Sequence, residues 1–150
     1  MSLRCIIQGV LLATLLVPAA QALPLCSTVA ASINQQTGNK LDTAELGGVL
    51  QSLTHSGQLP DKFISKRQAQ AAGWQPGRKL WSVPGLQGKS IGGDRFGNYE
   101  QQLPKGQWQE ADLNYKGGKR GAYRLVFSRT GQRFVSVDHY QRFIEVPACQ

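Results

Sequence analysis

The chain has 150 residues, which suits one domain, and carries 17 Lys and Arg against 9 Asp and Glu, a formal net charge of +8. That balance fits a polyanionic partner such as nucleic acid or an anionic surface, and it equally fits plain solubility. No internal repeat or low-complexity tract is present, and the one apolar run is too short to favour a membrane span. That run lies in residues 1–22, which read as a secretory signal. Arg4 supplies the positive start, Cys5 to Pro18 is mostly apolar, and Ala20-Gln21-Ala22 is an A-x-A cleavage signal. Without Arg4 the remaining chain carries 16 − 9 = +7. Cys5 leaves with the signal, so Cys26 and Cys149 remain. In an oxidising compartment they are expected to form a disulfide, two free thiols being the alternative.

Residues 23–41 are small and polar and read as an N-terminal extension tethered through Cys26. From Leu41 the period becomes helical, with Leu46, Val49, Leu50 and Leu53 on one face. Asp42 with Glu45 resembles a capping box, and Gly57 is a natural stop. Gly47-Gly48 costs this helix about 1 kcal/mol per residue relative to alanine. Leu59-Pro60-Asp61 is a turn, and a short helix is expected from Ser65 to Ala72, capped by Ser65 with Gln68 and ended by Gly73. Lys66 sits against the positive end of that helix dipole. It is either a solvated lysine or one half of an anion site shared with the helix N-terminus.

Residues 75–89 are a long connection with one helical turn near Leu80. Beyond Ser90 the period changes to two, and strands are expected at 90–96, 107–115, 122–128, 132–137 and 143–146. Gly117-Gly118 and Thr130-Gly131 supply turns. The predicted fold is α+β: N-terminal helices packed on a twisted antiparallel sheet of about five strands, with residues 42–150 as the domain.

Strand alternation puts Ala111, Leu113 and Tyr115 on a core face and Glu110, Asp112 and Asn114 on the other. Arg124 points the same way from the next strand, and Arg120 lies in the connection between them. These charges form either a cross-strand ion-pair ladder or an active site. His139, in a loop between Asp138 and Tyr140, favours the second reading. Cleaving RNA through its own 2′-hydroxyl needs a base, an acid and cations around the phosphorane; Glu110, His139 and the Arg/Lys groups supply all three. No paired histidine, C-x-x-C or calcium-spaced acidic cluster points to a metal, and no cofactor is expected. A two-carboxylate glycosidase built on Glu100 and Glu110 would leave the basic residues unexplained.

Several motifs in one order carry a specific resemblance: Leu59-Pro60-Asp61, Ala69-Gln70-Ala71 with Gly73-Trp74, Lys89-Ser90-Ile91-Gly92-Gly93-Asp94, Glu110 through Tyr115, and Asp138-His139-Tyr140. Over roughly residues 42–146 the chain resembles the bacterial guanyl-specific ribonucleases, the barnase and binase group. The resemblance implies a microbial ribonuclease fold and a monomeric, metal-free endoribonuclease that cuts RNA after guanosine through a 2′,3′-cyclic phosphate. It implies Glu110 as base, His139 as acid, and Lys66, Arg120 and Arg124 as phosphate-binding cations. Asp112 would brace the arginines, and Asp94 would support the site. Phe96, Gly97, Asn98, Tyr99 and Glu100 match the guanine-recognition loop, with Glu100 accepting from the base and Tyr140 stacking near it. The family also implies an acidic inhibitor of the barstar type as a partner. Tyr99 departs from the arginine of barnase at that inhibitor contact, Lys119 replaces an aromatic residue, and the two cysteines lie outside the pattern.

Overall fold

The computed structural model describes residues 2–16 and 21–150. Val17 to Ala20, and with them part of the expected cleavage signal, lie outside the described residues. Residues 2–16 form neither helix nor strand and are exposed. Among the described residues no helix is long and apolar enough to cross a membrane.

The elements run α1 (Cys26–Gln36), α2 (Thr43–Ser56), β1 (Phe63–Ile64), α3 (Lys66–Ala71), a 3-10 turn (Leu80–Ser82), β2 (Ser90–Phe96), β3 (Trp108–Asp112), β4 (Arg124–Ser128), β5 (Arg133–Ser136) and β6 (Ile144–Glu145). The strands form one sheet in sequential order. This is the expected α+β fold, with two corrections: the sheet has six strands rather than about five, and it is mixed. β1 pairs in parallel with β2, while every later pair is antiparallel. A two-residue strand carries no periodicity, so only its tertiary pairing defines it.

A third difference concerns residues 23–41. They contain a helix, not merely a tether. Cys26, Val29, Ala30 and Ile33 fall at i, i+3, i+4 and i+7 and are all buried. This stripe packs on α2, where Gly47 lies against Ser27 and Ala30. The disulfide Cys26–Cys149 links α1 to the C-terminus across 123 residues. Backbone bonds Cys26 N to Gln150 O and Gln150 N to Pro24 O flank it.

α2 begins as its sequence indicates, with the Asp42 side chain accepting from Glu45 N, and ends at left-handed Gly57. The reciprocal half of the capping box does not form. The Glu45 carboxylate instead accepts from Asn114 N and pairs with Lys62, tying α2 to the sheet. Helices and sheet share a core of Leu46, Val49, Leu50, Leu53, Ala111, Leu113, Leu125, Phe127 and Val135. A second cluster, Trp74, Leu80, Val83, Leu86, Ile91 and Tyr115, fills the long connection. The opposite face of the sheet has its own apolar end, where Trp108, Val126 and Leu103 are buried beneath Phe96, Phe134, Tyr140 and Phe143. Beside that end lie the charged residues.

Candidate active site

Two devices aim the charged side chains. The first is a β-bulge in β2. Gly92 pairs with Ala111 but Asp94 pairs with Glu110, so Gly93 is the extra residue, at φ 99°. The bulge brings Asp94 to the face of Glu110, where its carboxylate accepts from Lys66 N at 2.9 Å. That bond occupies a free N–H at the start of α3, whose Ser65 and Gln68 form the full capping box. The second device is the β3–β4 register, which sets Asp112 beside Arg124 and Glu110 beside Val126.

Asp112 is almost fully buried and holds both arginines. Arg120 donates to it through Nε at 2.6 Å and through its second nitrogen at 2.8 Å; Arg124 Nε lies 3.2 Å from Oδ1. The bond to Asp112 raises the Arg120 pKa above its ordinary value against the cost of burial. Arg124 is itself buried and also donates to the carbonyls of Gly121 and Tyr123. Without Asp112, two desolvated cations would face each other uncompensated.

Glu110 has 12% of its side chain exposed. Its Oε2 accepts from the Tyr140 hydroxyl at 2.5 Å, and its Oε1 lies 3.9 Å from Lys66 Nζ. The Tyr140 oxygen in turn accepts from Arg124 Nε at 3.1 Å. Burial first, and then the bond to Glu110, push the Tyr140 phenol well above its ordinary value. Lys66, Arg120 and Arg124 thus meet Asp94, Glu110 and Asp112 on one face, beside a proton-bearing phenol.

His139 is exposed and follows Asp138 in the β5–β6 loop. Both His139 and Tyr140 adopt left-handed backbone, φ 52° and 68°, a conformation that costs about 1–3 kcal/mol for such residues. His139 N donates to Ala122 O and Tyr140 N to Ser136 Oγ, which holds the turn. Asp138 does not bond the imidazole. Its carboxylate is taken by Ser136 and by the backbone and side chain of Arg142. The backbone bond from Arg142 is the largest cause of its lowered pKa.

The expected recognition loop forms one wall of a cavity of about 280 Å³, lined by Phe96, Asn98, Tyr99 and Glu100 on one side and by His139 and Tyr140 on the other. Asn98, at φ 49°, fastens the loop by accepting from Leu103 N and donating to Leu103 O. Glu100 accepts from Gln102 Nε2, which also reaches Tyr140 O. The Phe96 and Tyr140 rings lie 4.9 Å apart. Tyr99 is 91% exposed, and its ring crosses Gly97, where any Cβ would collide with it. Of the residues expected from sequence, Lys66, Asp94, Glu110, Asp112, Arg120 and Arg124 share one face, Phe96, Asn98, Tyr99, Glu100, His139 and Tyr140 line the adjoining cavity, Gly97 lies in the loop without lining it, and the disulfide is on the opposite side of the sheet.

Residues 49–147 match the family described as ribonuclease. The chain belongs to the bacterial ribonuclease family. It is 42% identical over 104 residues to a ribonuclease of Heyndrickxia coagulans, spanning 66% of this chain and 93% of that relative. Over the same length it is 42% identical to ribonucleases of Bacillus intermedius and Bacillus pumilus, covering 62% of each. The resemblance to the barnase and binase group read from the motifs is thus confirmed.

In this ribonuclease, sequence reasoning missed one contact. Tyr140 was expected only to stack, yet its hydroxyl joins Glu110 to Arg124. The signal was its place beside His139, but only the left-handed turn reveals where the hydroxyl goes. Among the described residues no three His, Cys, Asp or Glu side chains gather as a metal-binding group.

Proposed function

We propose that this ribonuclease is an exported endonuclease that cleaves single-stranded RNA after guanosine, through a 2′,3′-cyclic phosphate that it then hydrolyses to a 3′-phosphate. The observation that carries the reading is the Glu110 carboxylate, set among Lys66, Arg120 and Arg124 with Asp112 bracing the arginines from below. Tyr140 occupies Oε2, so Oε1 is the oxygen placed to take the 2′-hydroxyl proton. As the 2′ oxygen attacks phosphorus, the three cations stabilise the charge that develops on the phosphorane oxygens. His139, exposed at the rim, protonates the departing 5′ oxygen. In the second step the roles reverse: His139 takes a proton from water and Glu110 returns one to the 2′ oxygen.

Base choice is assigned to the cavity beside Phe96 and Glu100. The Glu100 carboxylate accepts from guanine N1–H and the 2-amino group, and backbone N–H groups of the loop donate to O6. Adenine would leave these groups unpaired at a cost of several kcal/mol. Tyr140 and Phe96 offer aromatic faces for the base. Export is supported by the signal-like residues 1–22 and by the disulfide, which belongs to oxidising compartments. An acidic protein inhibitor of the barstar type would match the cationic rim, and the enzyme is read as a monomer.

Glu110→Ala and His139→Ala are expected to lower kcat/KM on RNA by about 10²–10⁴-fold each while the far-ultraviolet circular dichroism stays unchanged. Normal cleavage by folded His139→Ala protein would remove His139 as the acid.

A further inference from the structure

The sheet face opposite the cleft is only partly covered by helices. Beyond the end of α2 lies an open cavity of about 350 Å³, lined by Gly93, Arg95, Gln107, Trp108, Gln109 and Arg129. Register explains the set. Arg95 pairs with Gln109 and Gln109 with Phe127, two residues before Arg129, so all four lie on the helix-side face. Gln107 joins them by alternation. A second hollow of about 570 Å³ shares Gly93, Gln109 and Arg129 and extends towards Phe63 and the C-terminus of α2.

Isolated surface arginines are ordinarily no more than solvated charge. Three observations separate this pair. Both are exposed, yet neither takes part in an ion pair among the described residues. No Asp or Glu lines either hollow, so the positive potential is not neutralised locally. The arginines flank a concavity lined by two amide side chains, which add neutral donors between the charges, and their backbones stand two strand spacings and two residues of rise apart, roughly 12 Å. That pattern suits a chain of spaced anionic groups better than a single carboxylate.

The position also suits one particular occupant. Arg95 immediately precedes Phe96, where the wall of the base cavity begins. β1 covers β2 only at Ser90 and Ile91, so the outer edge of β2 is unpaired at Arg95. A nucleic-acid strand leaving the recognition loop can pass around that edge and reach the arginines on the back. We infer that Arg95 and Arg129, with Gln107 and Gln109, form a second, non-catalytic site for phosphodiester groups of the same single strand held in the cleft. The inference rests on the ribonuclease reading for its occupant but not for its chemistry.

The test is binding of an uncleavable, long single-stranded deoxyoligonucleotide to the wild type and to Arg95→Gln/Arg129→Gln across a salt series, with a dinucleotide as the short probe. The double variant should bind the long probe several-fold more weakly. The plot of log affinity against log salt should be shallower by about 1.4, at about 0.7 per lost phosphate contact on a single strand. Dinucleotide affinity should not change. Equal long-probe affinity and slope in the two proteins would overturn the site. So would binding to anionic phospholipid vesicles that needs both arginines when oligonucleotide binding does not. The two readings fail separately. A wild type that binds through the arginines but never cleaves RNA keeps the site and loses the enzyme. Cleavage with an unaffected double variant keeps the enzyme and loses the site.

Discussion

Tyr140 links the Glu110 carboxylate, the proposed base, to the braced arginines: its hydroxyl donates to Glu110 and accepts from Arg124. The phenol is held protonated, because a phenolate here would be desolvated and would face a carboxylate. The sign of the consequence is definite. A phenol whose pKa is raised on folding binds its proton more tightly in the native state, so it contributes stability below the unfolded value near 10 that is lost as pH rises further. In alkaline unfolding titrations, wild-type stability should fall more steeply above about pH 10 than that of Tyr140→Phe. Parallel curves would contradict the assigned environment. The residue scale was largely legible beforehand. Alternation alone put Glu110, Asp112 and Arg124 on one face, because side-chain direction in a strand is set by parity. Sequence adjacency did not show that the Asp138 carboxylate turns to Ser136 and Arg142 rather than to His139, because it says nothing about direction in a turn with two left-handed residues.

At the scale of elements, the segment from Cys26 to Gln36 shows what composition hides. Its apolar stripe is built from Cys, Val, Ala and Ile, and the polar Asn34-Gln35-Gln36 end dominates any average, yet the spacing is that of a buried helix face. Tertiary contact with α2 supplies what intrinsic propensity lacks. β1 is similarly invisible, since two residues define no period. α2 was readable because its apolar face repeats over several turns and ends at Gly57, and β2 to β5 were readable because each spans four residues or more. Behind the sheet, Arg133 is buried without a carboxylate, donating to Leu50 O and Thr54 Oγ1, and burial lowers its pKa. Its cover is α2 and the Cys149 side of the disulfide. Replacing Cys26 and Cys149 together by serine should lower unfolding stability by about 4–5 kcal/mol, the loop-entropy value for a closure this long. Denaturant titration measures it. The active-site face lies on the other side of the sheet, so kcat of the folded variant should stay near wild type; a large drop would mean the bridge reaches the site.

The whole molecule is a sheet with two differently used faces. One carries the braced charges and the cavity beside Phe96 and Glu100, and the other is covered by helices except where Arg95 and Arg129 remain open. Among the described residues, Asp42, Glu45, Glu110, Asp112 and Asp138 are each paired with a cation, while Arg95 and Arg129 are not. Charge alone left a polyanion partner and simple solubility equal; the ordered motifs and the 42% identity to bacterial ribonucleases decided the family. What no pattern in the sequence could supply was the register that joins Asp94, Glu110 and Val126, because a bulge shifts it by one residue. The most direct measurement is digestion of a defined RNA in the presence of EDTA, with the cut positions and the chemistry of each new end determined. Cuts are expected on the 3′ side of guanosine, with 2′,3′-cyclic phosphate ends that convert to 3′-phosphates and full activity with the chelator. Cuts indifferent to the base, ends that never pass through the cyclic phosphate, or loss of cleavage in EDTA would contradict the proposed function.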